Sequence, residues 1–124
     1  MRALLDSHAA LWWLEDSPHL GDAGAGMLED PASEVLLSAV TVWELGMKRA
    51  AGRLQTNDGW VALLRDRGAR PLPITFAHAA AAADLPLHHR DPFDRMLVAQ
   101  ALTERAAIIS RDARLRKYDV EVIW

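Results

Sequence analysis

Four acids stand where a strand should end or a helix should begin: Asp6 after Arg2-Ala-Leu-Leu, Glu44 within Thr41-Val-Trp-Glu-Leu, Asp94 within Asp91-Pro-Phe-Asp-Arg, and Asp112 after Ile108-Ile-Ser-Arg. Carboxylates gathered from distant places repel one another, so a fold that brings them together uses cations to neutralise them. A pocket of this kind holds a divalent metal, and the chemistry it serves is hydrolysis of a phosphodiester. The chain has no cysteine, so any metal is held by oxygen or imidazole, and neither a disulfide nor a thiolate zinc site can form. There is no Gly-rich phosphate loop, nucleophile elbow or Walker lysine.

Each acid has an ordinary reading beside the chemical one. Asp6 falls at the carboxyl end of a strand, where open parallel sheets place their ligand crevice. It could instead cap the next helix, but Ser7 can do that and leave Asp6 free. Glu44 precedes Lys48 by one helical turn, a surface pair worth roughly 0.2 to 0.5 kcal/mol. It also shares a face with Val40, Thr41 and Met47, which puts it at the edge of an apolar stripe. Asp94 could complete a reciprocal cap behind Asp91 and Pro92, yet Leu97, Val98 and Ala101 set it at the head of a core-facing stripe, where a carboxylate needs a partner. Asp112 could cap a short turn over Ala113 to Lys117. Chance capping explains the joint placement of all four poorly.

Elements that would position these acids follow from pattern. Arg2 to Leu5 reads as a short buried strand, after which Ser7 can cap an apolar helical segment through Leu14, closed off by Pro18. A helix from about Leu20 to Leu28 is weakened by Gly21, Gly24 and Gly26, roughly 1 kcal/mol each. Glu34 to Ser38 is strand-like, and Ser38 or Thr41 starts a helix that ends near Gly52. Thr56 or Asn57 opens a further helix reaching Arg67 and stopped by Gly68, before an edge strand at Pro71-Leu-Pro-Ile. Ala77 to Ala83 is a strong helix former, broken by Leu85-Pro-Leu-His-His-Arg, after which Asp91-Pro92 begins a new helix. Ala106 to Ser110 and Val120 to Trp124 are the last strands. This alternation predicts an α/β fold, a three-layer α/β/α sandwich with a mainly parallel central sheet.

With 124 residues, 51% of them hydrophobic, the chain fits one domain over 1–124. Ala3 to Leu5 is too short for a signal segment and no apolar run spans a bilayer, so a soluble protein compatible with the cytoplasm, with no membrane partner, is expected. A net charge of -3 argues against coating nucleic acid by bulk electrostatics. Two basic stretches, one of Arg105, Arg111, Arg114, Arg116 and Lys117 and one of Lys48, Arg49 and Arg53, are either solvated faces or phosphate-tracking patches. His8 is a packing residue or a substrate contact. His88 and His89 are adjacent, which argues against a His-only zinc site. Of Trp12 and Trp13 only one can face the core fully, and the other could mark a partner surface.

At Leu4-Leu-Asp-Ser-His-Ala-Ala-Leu-Trp-Trp, Val42-Trp-Glu-Leu, His88-His-Arg-Asp-Pro-Phe-Asp-Arg-Met-Leu-Val-Ala-Gln-Ala and Ile109-Ser-Arg-Asp, the chain resembles the PIN-domain ribonucleases, and among them the VapC toxins of type II toxin-antitoxin pairs. The resemblance runs from the first strand to Val122-Ile-Trp. It implies an acidic quartet of Asp6, Glu44, Asp94 and Asp112, with Asp6 and Asp94 as direct ligands of Mg2+ or Mn2+. Glu44 and Asp112 then act through water or a second ion, and Asp91 caps its helix. It further implies cleavage of RNA, inhibition of translation, a homodimer and a cognate antitoxin. Ser7, Ser110, Arg111, Arg114 and Arg116 are the candidate contacts to the RNA backbone. Two rival functions remain: a receiver-like domain that accepts phosphate on a strand-end acid, and an RNA-binding module that does not cut. The receiver would need a lysine at a late strand end, which the strand ending in Ser110 does not offer.

Overall fold

The computed structural model describes residues 1–124. Its centre is β1 (Arg2–Leu5), where Ala3, Leu4 and Leu5 are all fully buried. Burial on both faces is what a parallel strand covered by helices requires, and it is why this run does not alternate with polar residues. Five strands, β1, β2 (Glu34–Ser38), β3 (Arg70–Leu72), β4 (Ala107–Ile109) and β5 (Val122–Ile123), pair in the order β3-β2-β1-β4-β5, every pair parallel. The proline-bearing β3 is an edge strand, as its sequence demands. In a receiver-like sheet β1 would lie between β2 and β3, so the observed order removes that rival.

Side chains alternate between two cores. Ala3, Leu5, Val35, Leu37 and Ile109 face one, against α1 (Ser7–Leu14), α2 (Asp22–Glu29) and α4 (Trp60–Asp66). Leu4, Leu36 and Ile108 face the other, against Leu97, Val98 and Ala101 of α6 (Pro92–Glu104). Two further helices, α3 (Ala39–Ala50) and α5 (Phe76–Asp84), complete the three layers, α5 packing on α6. A 3-10 turn over Ala113–Lys117 links β4 to β5. The helix expected from Thr56 or Asn57 begins only at Trp60, because Gly59 is its N-cap.

The glycines of α2 have a packing reason rather than being mere weak points. Gly21 is the N-cap, and a Cβ there would lie 2.0 Å from the Trp124 carbonyl oxygen. Gly24 donates its N–H to that same oxygen at 2.9 Å. The absent side chains let α2 dock its backbone on the end of the sheet.

Two buried polar contacts set α3 and α6 against the strands. Ser38, which ends β2 and caps α3, donates its hydroxyl to Gln100 Oε1 on α6 at 2.5 Å. The Gln100 amide in turn reaches the Pro73 carbonyl at 3.3 Å and His78 Nδ1 at 3.4 Å. Thr41 donates to the Leu5 carbonyl at 3.3 Å, tying α3 to the end of β1. These groups are buried and satisfied, as polar atoms in a core must be.

Candidate functional site

From β1 the sheet steps one way to β2 and β3 and the other way to β4 and β5, so the chain reverses its winding between β1 and β4. In open α/β sheets this reversal leaves a crevice beyond the carboxyl ends of the two strands. Asp6 directly follows β1, and Ser110, Arg111 and Asp112 follow β4. The second turn of α3 brings Glu44, and the first turn of α6 brings Asp94. All four line one cleft, together with Ser7, His8, Lys48, Asp91, Arg111 and Arg114.

Capping roles and cleft roles turn out to be compatible. Asp6, not Ser7, is the N-cap of α1, accepting the Ala9 N–H at 2.8 Å. The expectation that Ser7 would free Asp6 is therefore corrected: one carboxylate oxygen takes the cap, while the Ser7 hydroxyl donates to Glu44. Glu44 also keeps its surface pair with Lys48, at 3.7 Å. Asp91 caps α6 through Oδ1, accepting from the N–H groups of Phe93 at 2.8 Å and Asp94 at 3.4 Å. Asp112 caps the 3-10 turn through the Arg114 N–H at 3.0 Å.

The electrostatics divide the acids into two kinds. Burial raises the pKa of Asp94 to about 6, and the neighbouring Asp91 charge adds to this, with smaller pushes from Glu44 and Asp112. Burial also raises that of Asp6, against the contacts with the Ser110 hydroxyl and the Ala9 N–H. Asp112 is the opposite case. Its hydrogen bonds to Arg114, the side chain above all, hold its carboxyl down at about 2. His89 and His8 offset this only in part for Asp94 and Asp6, neither of which is bonded to an arginine or lysine, whereas Asp112 has Arg114.

Of the expected substrate contacts, Arg114 is taken up by Asp112, with Nε at 3.0 Å and Nη2 at 2.9 Å, and Arg116 does not line the cleft. Arg114 nonetheless lines the cleft. The 3-10 turn bends so tightly that Arg114 folds back on its own cap residue while Arg116 points outward, exposed. Arg111 does reach the cleft, its guanidinium carbon 4.6 Å above the Trp12 ring. Trp12 also touches His8 at 5.3 Å and Trp124 at 5.5 Å between ring centroids, so an aromatic ridge runs out from the cleft wall. Ser110 is fully buried and accepts the Asp112 N–H at 3.0 Å, bridging the ends of the two acids.

Sequence reasoning missed His89. It is buried, with Nε2 3.0 Å from Asp94 Oδ2 and 3.2 Å from Asp112 Oδ2. Its spacing two residues before the Asp91 cap was a usable signal that the zinc question obscured.

A hard dication fits this donor set. The cleft offers carboxylate oxygens and no sulfur, the set that magnesium and manganese prefer. Asp6 and Asp94 carry charge that burial and neighbouring acids disfavour, which a cation would relieve. Atoms of His89, Asp94 and Asp112 come within 4.8 Å of one another.

Comparison with known proteins agrees with the geometry. The family model of the PIN domain matches residues 3–121. Ribonuclease VapC22 of Mycobacterium tuberculosis is 32% identical over 119 residues, covering 93% of this chain and 90% of that protein. The crystal structure of VapBC2 from Rickettsia felis bound to a DNA fragment from their promoter superposes with a TM-score of 0.74 at 10% identity, over 98% of this chain and 97% of that one. A toxin-antitoxin complex from Klebsiella pneumoniae gives a TM-score of 0.71 at 15% identity, over 98% and 96%.

Proposed function

The chain belongs to the PIN domain family, and from that premise we infer that it is a metal-dependent endoribonuclease, the toxin of a toxin-antitoxin pair, which cuts RNA and so halts translation. The observation that carries this is the convergence of Asp6, Glu44, Asp94 and Asp112 on one cleft at the reversal of the sheet. The 32% identity to a protein named a ribonuclease supports the same reading.

Asp6 and Asp94 would hold Mg2+ or Mn2+ directly, since burial raises the pKa of both and neither is bonded to an arginine or lysine. Such an ion, when bound, supplies Lewis acidity to a phosphodiester and acidifies a water. This chain's residues do the rest. Glu44, oriented by Ser7, faces the cleft as an acceptor able to align a water, and Asp112 stays ionised under Arg114. Ser110 keeps Asp6 and Asp112 in register. Arg111, stacked on Trp12 rather than paired with an acid, is the cation left to meet the RNA backbone.

An antitoxin partner and a homodimer complete the reading. Trp43 is 59% exposed and sits edge-on to Phe93 at 5.1 Å, with Met47 also exposed one turn along α3. This apolar face adjoins the cleft, where a neutralising protein would cover both. No helix is long and apolar enough to cross a membrane.

Purified protein incubated with structured RNA tests the activity, with new 5′ ends mapped in the presence of Mg2+, Mn2+ or EDTA. Cleavage that needs the ion and disappears in folded Asp6→Asn and Asp94→Asn variants is expected. RNA retained without new ends would instead favour the non-cleaving module, and full activity in either variant would remove that residue from the mechanism.

A further inference from the structure

His89 with Asp94 and Asp112 has the composition of a three-ligand metal site, but its hydrogen bonds point elsewhere. The ring is 5% exposed and held from two sides. Its Nδ1 accepts the Asp91 N–H at 3.1 Å, and its own backbone N–H donates to the Tyr118 hydroxyl at 3.0 Å. A histidine that binds a metal through Nε2 carries its proton on Nδ1 and gives it to an acceptor. Here a donor, the Asp91 amide, already faces Nδ1, so the lone pair is on Nδ1 and the single ring proton on Nε2. That proton points between Asp94 Oδ2 and Asp112 Oδ2.

We propose that His89 is a positioning residue: its ring accepts from the Asp91 N–H at Nδ1 and directs the Nε2 N–H into the gap between Asp94 and Asp112, fixing how these carboxylates face the cleft, and is not itself a ligand. The proposal rests on the cation reading above. Asp91 makes the device rigid, because it fixes the ring through its N–H while its Oδ1 caps the helix that carries Asp94. The ring and the acid are thereby referenced to the same turn of backbone. Hydrogen bonds of this kind to ligating carboxylates are worth 10- to 100-fold, by order of magnitude, in metal affinity.

Two measurements decide it. Calorimetric titration of the full chain with Mn2+ should give weaker binding in His89→Phe, by roughly 10- to 100-fold with unchanged stoichiometry. His89→Gln, whose amide can still donate, should recover most of the affinity. Nitrogen-15 NMR of the wild-type imidazole should show the Nε2–H tautomer both without cation and with saturating Mg2+, which needs no variant to fold. A shift of the proton to Nδ1 on adding Mg2+, or Mn2+ binding by His89→Phe equal to wild type, overturns the proposal alone. Absence of any Mn2+ binding by the wild-type chain overturns the cation reading and the proposal with it.

Discussion

Replacing Asp94 by Asn should make the metal-free protein more stable while abolishing what the cleft does. Burial and the surrounding acids raise the Asp94 pKa from 3.8 to about 6. A carboxyl with a raised folded pKa holds its proton more tightly in the folded chain, so ionising it works against folding above that pKa and not at all well below the unfolded value. At 1.36 kcal/mol per pKa unit, the penalty at pH 7 is about 3 kcal/mol. Asn is neutral and can still accept from His89 at the Oδ2 position, so most of the penalty should be relieved, giving a gain of about 1 to 3 kcal/mol after desolvation of the amide. With an m-value near 2 kcal/mol/M, the urea midpoint should rise by about 1 M at pH 7 in EDTA. At pH 4 the wild-type carboxyl is protonated when folded, and the difference should shrink below about 1 kcal/mol. A midpoint unchanged or lowered at pH 7, or a gain of the same size at pH 4, would refute the reasoning. Either result would mean that Asp94 is not an ionised group held against its own electrostatics.

Added Mg2+ or Mn2+ should raise the wild-type melting temperature, since an ion at a hundred times its dissociation constant stabilises by about 2.7 kcal/mol; Asp6→Asn and Asp94→Asn should not respond, and a wild-type melt indifferent to millimolar ion would count against the site. Gln100→Ala should lower unfolding free energy by about 2 to 4 kcal/mol, because Ser38 and the Pro73 carbonyl lose a buried partner, and urea denaturation reads this directly. Gly21→Ala and Gly26→Ala should move in opposite directions. The first drives a Cβ into the Trp124 backbone, at about 1 to 3 kcal/mol; the second, at an exposed position of the same helix, meets nothing within 4 Å and should gain roughly 0.5 to 1 kcal/mol. Equal effects from both would show that α2 does not dock on the C-terminal strand as described.

The strands were legible because buried parallel strands are short apolar runs with few alternatives: Glu34–Ser38 was read with its observed bounds. The cap at Asp91-Pro92 was equally plain, since proline at the first helical position needs no N–H partner. The four acids could be named from their places at element ends. What they would be bonded to could not, because pairing across the fold depends on register. Ser7 and Asp6 are both good caps, and only the arrival of Glu44 beside Ser7 decides between them. Arg114 and Arg116 look alike in sequence, but the 3-10 turn sends one back to Asp112 and the other away. The Ser38–Gln100 bond spans 62 residues, beyond any local pattern.

The strand pair that frames the crevice joins Ala3 to Ala107. A growing polypeptide therefore exposes Asp6 and Glu44 long before the segment bearing Asp94 and Asp112 has been synthesised, and closing so large a loop is entropically late. The centre of the sheet and the acidic hollow arise in the same closing event. A species in which β1 and β4 have not yet paired holds only half of the hollow, so destructive capacity is withheld until the two halves of the chain meet.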